Sequence, residues 1–392
     1  MKADGFFTPL WASLSRGVRA FVSRPEFVVA MILIPLFAVW FFDSLLSRGV
    51  TTRVPVAVVD LDASEMSRAI TRNLAVQQVL DITESCESYN SAMNEIKQGH
   101  IYGFFVIPEN FEEDVFAGKQ PTLTYFSNLT YYVPGTYSYK GFKQIAVATA
   151  SSVVRDMAVS RGIPESVLGP LVQPVSLQIN QIHNPWANYA YYLGPSFTYG
   201  VLQLMILLLT IFSITNEIKE GTSRKWLGTA KNSIIIALTG KLLPQTIVFT
   251  LSGWAILGIQ FGFNHYPMNG DYAFLLAGMF LMVISAQALG VFYASILPNP
   301  RLALSLGALT GILAFSIAGF SFPVQNMYGA IGIFSYMLPV RYMFLDYIGI
   351  ALNGVDPWYV RWNFVVPLLF IPVSLSMVWN LKRMCLRPVY VP

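Results

Sequence analysis

TNEIKEGTSRKWLGTAKN, residues 215–232, carries six ionisable side chains: Glu217, Lys219, Glu220, Arg224, Lys225 and Lys231. Before it runs YYLGPSFTYGVLQLMILLLTIF, and after it SIIIALTGKLLPQTIVFTLSGWAILGIQFGF. Each flank holds enough apolar residues to cross a bilayer, which takes about 20 of them in a helix. A charged island between two such runs places the chain in a membrane and marks a loop at its surface.

The bulk composition agrees. Of 392 residues, 54% are hydrophobic and 12% charged, and mean hydropathy is +0.53; a water-soluble domain carries about 25% charged residues. Apolar runs predict six crossings, at 27–46, near 190–214, 243–263 and 272–297, then 302–320 and 362–380. Prolines 35, 195, 244, 367 and 372 in or near these runs do not veto them, because neighbouring helices satisfy the freed carbonyls in a bundle. The first run follows Lys2, Arg16, Arg19 and Arg24 and lacks a small-residue cleavage site, so it reads as an uncleaved signal-anchor.

Charge sets the orientation. Residues 48–185 hold 10 Lys/Arg against 13 Asp/Glu, a balance of −3, and the remainder holds 15 against 8, a balance of +7. The basic residues cluster before the first run, in 215–241, at Arg301 and in LKRMCLR, while the 264–271 loop has none. Positive charge favours the cytoplasmic side, so both termini and 215–232 are expected inside and 48–185 outside.

The outer segment 48–185 reads as a small α/β domain. VPVAVVD (54–60) is a strand; Met66, Ile70 and Leu74 share one face of a helix; a second helix over 89–98 stops at Gly99. IYGFFVI precedes the breaker Pro108, TLTYFSN alternates as a strand, and 141–160 is helical. Residues 1–26 form a basic amphipathic helix, with Leu10, Leu14, Val18, Phe21 and Val22 on one face and Arg16 and Arg19 turned away, as in a helix lying in the membrane interface.

Several chemistries are missing from the sequence. No G-x-x-x-x-G-K-[ST] loop is present; TGKLLP and AGKQPT lack its spacing and its magnesium-binding hydroxyl. His100, His183 and His265 are scattered, and no G-x-S-x-G or H-E-x-x-H occurs, so no catalytic residue and no metal site are expected. Cys86 and Cys385 read as unpaired thiols on opposite sides. NLT at 128–130 matches a glycosylation acceptor, a short motif that bears only on a eukaryotic secretory setting. Ionisable residues are nearly absent from the centres of the apolar runs, which disfavours a proton-driven carrier.

Glu217, Lys219 and Glu220 followed by Gly221-Thr222 and a stretch with Arg224, Trp226 and Leu227 resemble the E-x-x-x-GT element of type-2 ABC exporter permeases. GFFVIPENFEEDVFAGKQPTLTYFSN (103–128), HNPWANYAYYLGPSF (183–197) with Asn184-Pro185, SFPVQNM (321–327) and YMLPVRYMFLDYIGIALNG (336–354) resemble further stretches of that family, in its order and over nearly the whole chain. Asn216 and Ile218 interrupt the family's denser charge run, and SRKWLGTAKNS lacks its usual proline.

The resemblance implies a polytopic α-helical membrane protein, with six transmembrane helices and an α/β extracytoplasmic domain between the first and second. It implies a five-helix domain over 189–382, a coupling segment 215–232 that docks on a separate ATPase with Trp226 as an aromatic anchor, an outer re-entrant segment 321–361 and a tail 383–392. Implied partners are ABC ATPase subunits carrying ATP and magnesium, a second permease, identical or related, and a periplasmic adaptor, in a bacterial inner membrane. The chain itself is expected to bind no cofactor and no nucleic acid. Tyr199, Gln203, Phe315 and Ser316 are candidates to line a translocation path, and Gly307 and Gly311, a GxxxG pair, to mediate helix contact. The competing reading is a membrane-anchored envelope binding or assembly protein that uses 48–185 to recognise a partner.

Overall fold

The structure is a computed structural model that describes residues 4–160, 162, 182–184, 187–297 and 299–387. Pro185 of the Asn184-Pro185 pair, the stretch 163–181 and residues 388–392 of the expected tail lie outside the described residues. The chain divides into two compact units, one of Met1–Gly49 with Gln181–Pro392 and one of Val50–Asn180.

The helical unit begins with α1 (Asp4–Val22) and α2 (Pro25–Leu45). Within α2 the backbone widens to a π-turn over Val29–Leu33 just ahead of Pro35, where the ring removes an amide donor.

In the second unit, β1 (Val54–Asp60), α3 (Glu65–Ala75), β2 (Leu80–Ser85), α4 (Tyr89–Gln98), β3 (Gly103–Ile107), α5 (Phe111–Phe116), β4 (Thr124–Ser127) and α6 (Tyr132–Ser160) build one four-stranded sheet in the order β2-β1-β3-β4. β1 pairs in parallel with β2 and β3, and β4 runs antiparallel to β3 with Phe104 opposite Phe126. A central parallel strand is covered on both faces, so Val54, Val56, Val58 and Val59 are all buried. Ser64 caps α3 by accepting the Ser67 amide at 3.0 Å, and Gly99 closes α4 at φ +81°. The Asp62 carboxylate accepts the Phe111 and Glu112 amides at 2.8 and 3.2 Å, which ties the β1–α3 turn to the start of α5. β2 and α5 are not apparent in the sequence: LDITES has one buried residue, and FEEDVF is a single helical turn and a half.

The helical unit resumes with α7 (Tyr189–Lys219), α8 (Ser223–Thr229), α9 (Ile234–Phe263), α10 (Tyr272–Ile296), α11 (Pro300–Ile317), α12 (Gly329–Tyr336), α13 (Pro339–Asp346) and α14 (Trp362–Leu386). Among the described residues, six of its helices, α2, α7, α9, α10, α11 and α14, are long and apolar enough to cross a membrane. Asn188, Ser233, Asp271 and Asn299 cap the starts of α7, α9, α10 and α11 with side-chain oxygens, where four backbone amides lack partners. α7 and α10 are the most buried of the six.

Two expected boundaries move. The third crossing helix starts at Ile234 rather than near 243, because the Lys241 charge is neutralised inside the bundle and does not end the helix. α14 runs through Leu386, so residues 383–386 belong to that helix and Cys385 is buried in it. Residues 321–361 hold two short helices, α12 and α13, joined at Met337-Leu338.

On α1, Ser13 and Gly17 are buried against α9, Leu10, Leu14 and Phe21 are half-buried, and Phe7, Trp11, Val18 and Val22 are exposed. Contact is close: a Cβ added to Gly17 would lie 2.4 Å from the Gly240 carbonyl oxygen, and one added to Gly240 would lie 2.4 Å from Ser13 Oγ. Arg16, on another face of α1, is half-buried and reaches Glu217 of α7.

Candidate functional site

The E-x-x-x-GT element is a helix terminus. Lys219 is the last helical residue of α7 and Glu220 its C-cap, and Gly221 follows at φ +69°, the left-handed region that costs a side chain about 1–2 kcal/mol. The Thr222 amide donates to the Glu217 carbonyl at 2.9 Å and the Gly221 amide to that of Ile218 at 3.2 Å, the paired bonds of a glycine-terminated helix. The Thr222 hydroxyl donates to the Glu217 carboxylate. The spacing of Glu, Gly and Thr is therefore the spacing of one cap.

Glu217 then gathers charges from two distant helices. Its Oε1 accepts from Lys241 Nζ at 2.7 Å and its Oε2 from Arg16 Nη2 at 2.8 Å. Lys241 Nζ also donates to the Ser213 carbonyl at 2.8 Å and stands 4.8 Å above the Trp226 ring, so its three protons have three destinations. Glu217 and Lys241 are each 9% exposed. An outer pair repeats the pattern in solvent, where Arg24 Nη2 reaches Glu220 at 3.0 Å and Asn216 Nδ2 adds a bond of 2.8 Å.

α8 is fastened from behind. The Ser223 hydroxyl donates to the Cys385 carbonyl at 2.8 Å, Arg224 Nε to that of Leu386 at 2.9 Å, and Trp226 Nε1 to that of Ala237 at 3.3 Å. Trp226 and Leu227 are buried with Ile214, Ile234 and Leu381. This corrects the expected anchor: the Trp226 ring fills this chain's own core and does not project toward another. Glu217 and Leu227 are likewise internal. Of the expected coupling residues, Glu220, Gly221 and Arg224 are exposed and Thr222 is half-buried, and Lys225, Gly228 and Lys231 join the exposed face. Helical spacing carried that signal, since Ser223, Trp226, Leu227 and Ala230 share one face and Arg224, Lys225 and Gly228 lie off it.

The proposed path residues separate. Tyr199 and Gln203 are both 0% exposed; the Tyr199 hydroxyl donates to Gln260 Oε1 at 2.9 Å, and Gln203 Oε1 accepts the Val340 amide at 2.6 Å. They bind α7 to α9 and α13 and line no surface of this chain, which corrects that expectation. Phe315 is half-buried, its ring against Gly200 and Phe197, and Ser316 is exposed. Gly307 and Gly311 both face α7: an added Cβ would lie 2.6 Å from Ile211 Cδ1 and 2.4 Å from Leu204 Cδ1 respectively. Their contact is within the chain.

The far ends of these helices are held differently. The Asp43 carboxylate, near the end of α2, accepts from Asn264 Nδ2 at 2.6 Å and from the Tyr266 hydroxyl at 2.8 Å. Burial, with the Asp43 charge beside it, raises the Tyr266 phenol well above its ordinary range and keeps it a donor. Asp346 Oδ1 accepts from Asn363 Nδ2 at 3.0 Å, and Arg341 Nη1 donates to the Ala318 carbonyl at 2.8 Å. Elsewhere, in the second unit, Glu84, Glu95 and His100 bring ligand-type atoms within 4.8 Å of one another at the surface.

Residues 25–380 match the family model described as ABC-2 family transporter protein, and the chain belongs to that family. Among curated proteins it is 22% identical over 315 residues to the linearmycin resistance permease protein LnrN of Bacillus subtilis strain 168, covering 77% of this chain and 80% of that one. It is 21% identical over 374 residues to the probable multidrug ABC transporter permease YbhR of Escherichia coli strain K12, covering 94% and 96%. The inner membrane transport permease YhhJ of the same organism is 22% identical over 296 residues, with 73% of each chain covered. This chain is thus a multi-pass membrane permease of the ABC transporter class.

Proposed function

We propose that the chain is the transmembrane, non-catalytic subunit of an ATP-driven exporter, moving a hydrophobic or amphipathic cargo (drug, lipid, peptide or polymer) outward across a bacterial inner membrane. A separate ATPase binds ATP and magnesium and docks on the turn formed by α8 and its flanks. Two permease chains complete the pathway, and the second unit faces outward, where a periplasmic adaptor meets it. Both termini lie in the cytoplasm.

The observation that carries this reading is the construction of α8. Its inner face is bonded to α9 and to the end of α14, and its cap is locked to α1 and α9 through Glu217. Its outer face presents Arg224, Lys225 and Lys231. A cationic surface on a rigid mount suits an acidic partner whose movement must reach the crossing helices. The relatives' names, with multidrug and resistance among them, support a drug among these cargoes.

The test is co-expression with the candidate ATPase. Reversing two rim charges, Arg224→Glu with Lys225→Glu, should weaken capture of the ATPase about tenfold or more and abolish its stimulation, most of all at low salt. Retention of full ATPase binding and export by that variant would remove the docking assignment. Lys225→Cys should react with a membrane-impermeant maleimide from the inside only, and Asn128→Cys from the outside only.

A further inference from the structure

Between α9, α10 and α14 lies a groove of about 530 Å³, within the range of small-molecule sites. It runs along α9 from Leu238 to Trp254, roughly 24 Å at 1.5 Å per residue, most of the thickness of a bilayer's hydrocarbon. Leu243, Ile247 and Leu251 form its rim and are exposed. None of its lining residues is ionisable.

Its floor is not wholly apolar. Thr246 and Thr250 stand one turn apart on α9, opposite Gln287 in the middle third of α10. The Thr246 hydroxyl lies 2.7 Å from the Gln287 side-chain amide and 2.9 Å from the Leu242 carbonyl. The other end of the Gln287 amide and the Thr250 hydroxyl have no partner among the described residues, although these residues are 5% and 6% exposed. Unpaired polar groups within the hydrocarbon layer are costly. The Thr246–Gln287 bond joins α9 to α10, as polar side chains do between crossing helices, and leaves these two groups beneath the groove surface unsatisfied.

We propose that this groove binds an uncharged, elongated apolar molecule carrying a hydroxyl or carbonyl oxygen partway along its length, taken up from the lipid phase. The absence of ionisable lining excludes a charged ligand at this depth, where desolvation is not repaid. The length of the groove selects an extended body. The position of Gln287 selects mid-chain oxygen and excludes an ordinary phospholipid tail, whose ester oxygens stay at the membrane surface and whose chain would leave both polar groups unpaired. A hydroxyl satisfies the amide whichever way its oxygen and nitrogen are turned. The site stands apart from the α8 turn, and occupancy requires neither nucleotide nor a partner chain.

The experiment uses the full chain in phosphatidylcholine nanodiscs, without ATPase. The probe is a long-chain secondary alcohol with its hydroxyl at mid-chain and a diazirine at one end; the control is the same chain without oxygen. Photolabelling should concentrate on peptides from α9, α10 and α14 and be competed by unlabelled mid-chain alcohol. Gln287→Leu should raise the concentration needed for that competition five- to tenfold, the loss expected of one hydrogen bond. Ile247→Trp, on the open rim, should lower labelling by filling the groove without altering the thermal melt. Equal labelling and competition by the hydrocarbon control, or label spread evenly over the lipid-facing helices, would overturn the proposal. Either result leaves the ATP-driven reading untouched, because that reading is tested by ATPase capture.

Discussion

The two ends of the helical unit hold their carboxyl groups in opposite ways. At the α7–α8 end, Glu217 is enclosed by Lys241 and Arg16, formal charges of opposite sign from α9 and α1. At the other end Asp43 is held by an amide and a phenol, and Asp346 by an amide, all neutral donors. A charge paired with charges is fixed in place, since separating them leaves each ion stranded at low dielectric. A carboxylate held by neutral donors can exchange those donors for water at modest cost. The first end is an ionic cluster, and the second a set of hydrogen bonds from neutral groups.

Glu217→Ala attacks this contrast at its strongest point. It strands Lys241 and Arg16 and should cost about 3–5 kcal/mol, read as a large drop in the melting temperature of the purified protein. Combining Glu217→Gln with Lys241→Met should recover much of that loss; no recovery would mean the cluster is not an electrostatic unit. Asp43→Ala should cost less, about 1.5–3 kcal/mol, the range of hydrogen bonds to a charged group, and equality with Glu217→Ala would erase the distinction between the two ends. Gly221→Ala forces a side chain into the left-handed region for about 1–2 kcal/mol, and open space around it means that only backbone strain is measured. Arg24→Ala removes the solvent-exposed pair with Glu220 and should change stability by less than about 1 kcal/mol. A larger effect would show that the surface pair shares the behaviour of the buried one.

The sequence exposed this contrast only in part. The six crossing helices were legible because each is a long apolar run, and the strands at 54–60 and 103–107 because they are short β-branched or aromatic runs between breakers. The Glu217 cluster was not legible, since Arg16 and Glu217 stand 201 positions apart and no local pattern links them. Lys241 misled for the same reason: in isolation a lysine at the edge of an apolar run marks a membrane surface, and only its partner explains why α9 begins at Ile234. Trp226 stands in a short charged segment, where an aromatic reads as a docking anchor, whereas its ring closes the third side of the Lys241 cation.

The approach of α1 to α9 has a mechanical corollary. Where Gly17 meets Gly240, main chain rests on main chain, with the small Ser13 side chain beside them. Such a joint has little slack. A side chain larger than hydrogen at either glycine would pry the amino-terminal helix away from the third crossing helix and loosen whatever passes between them.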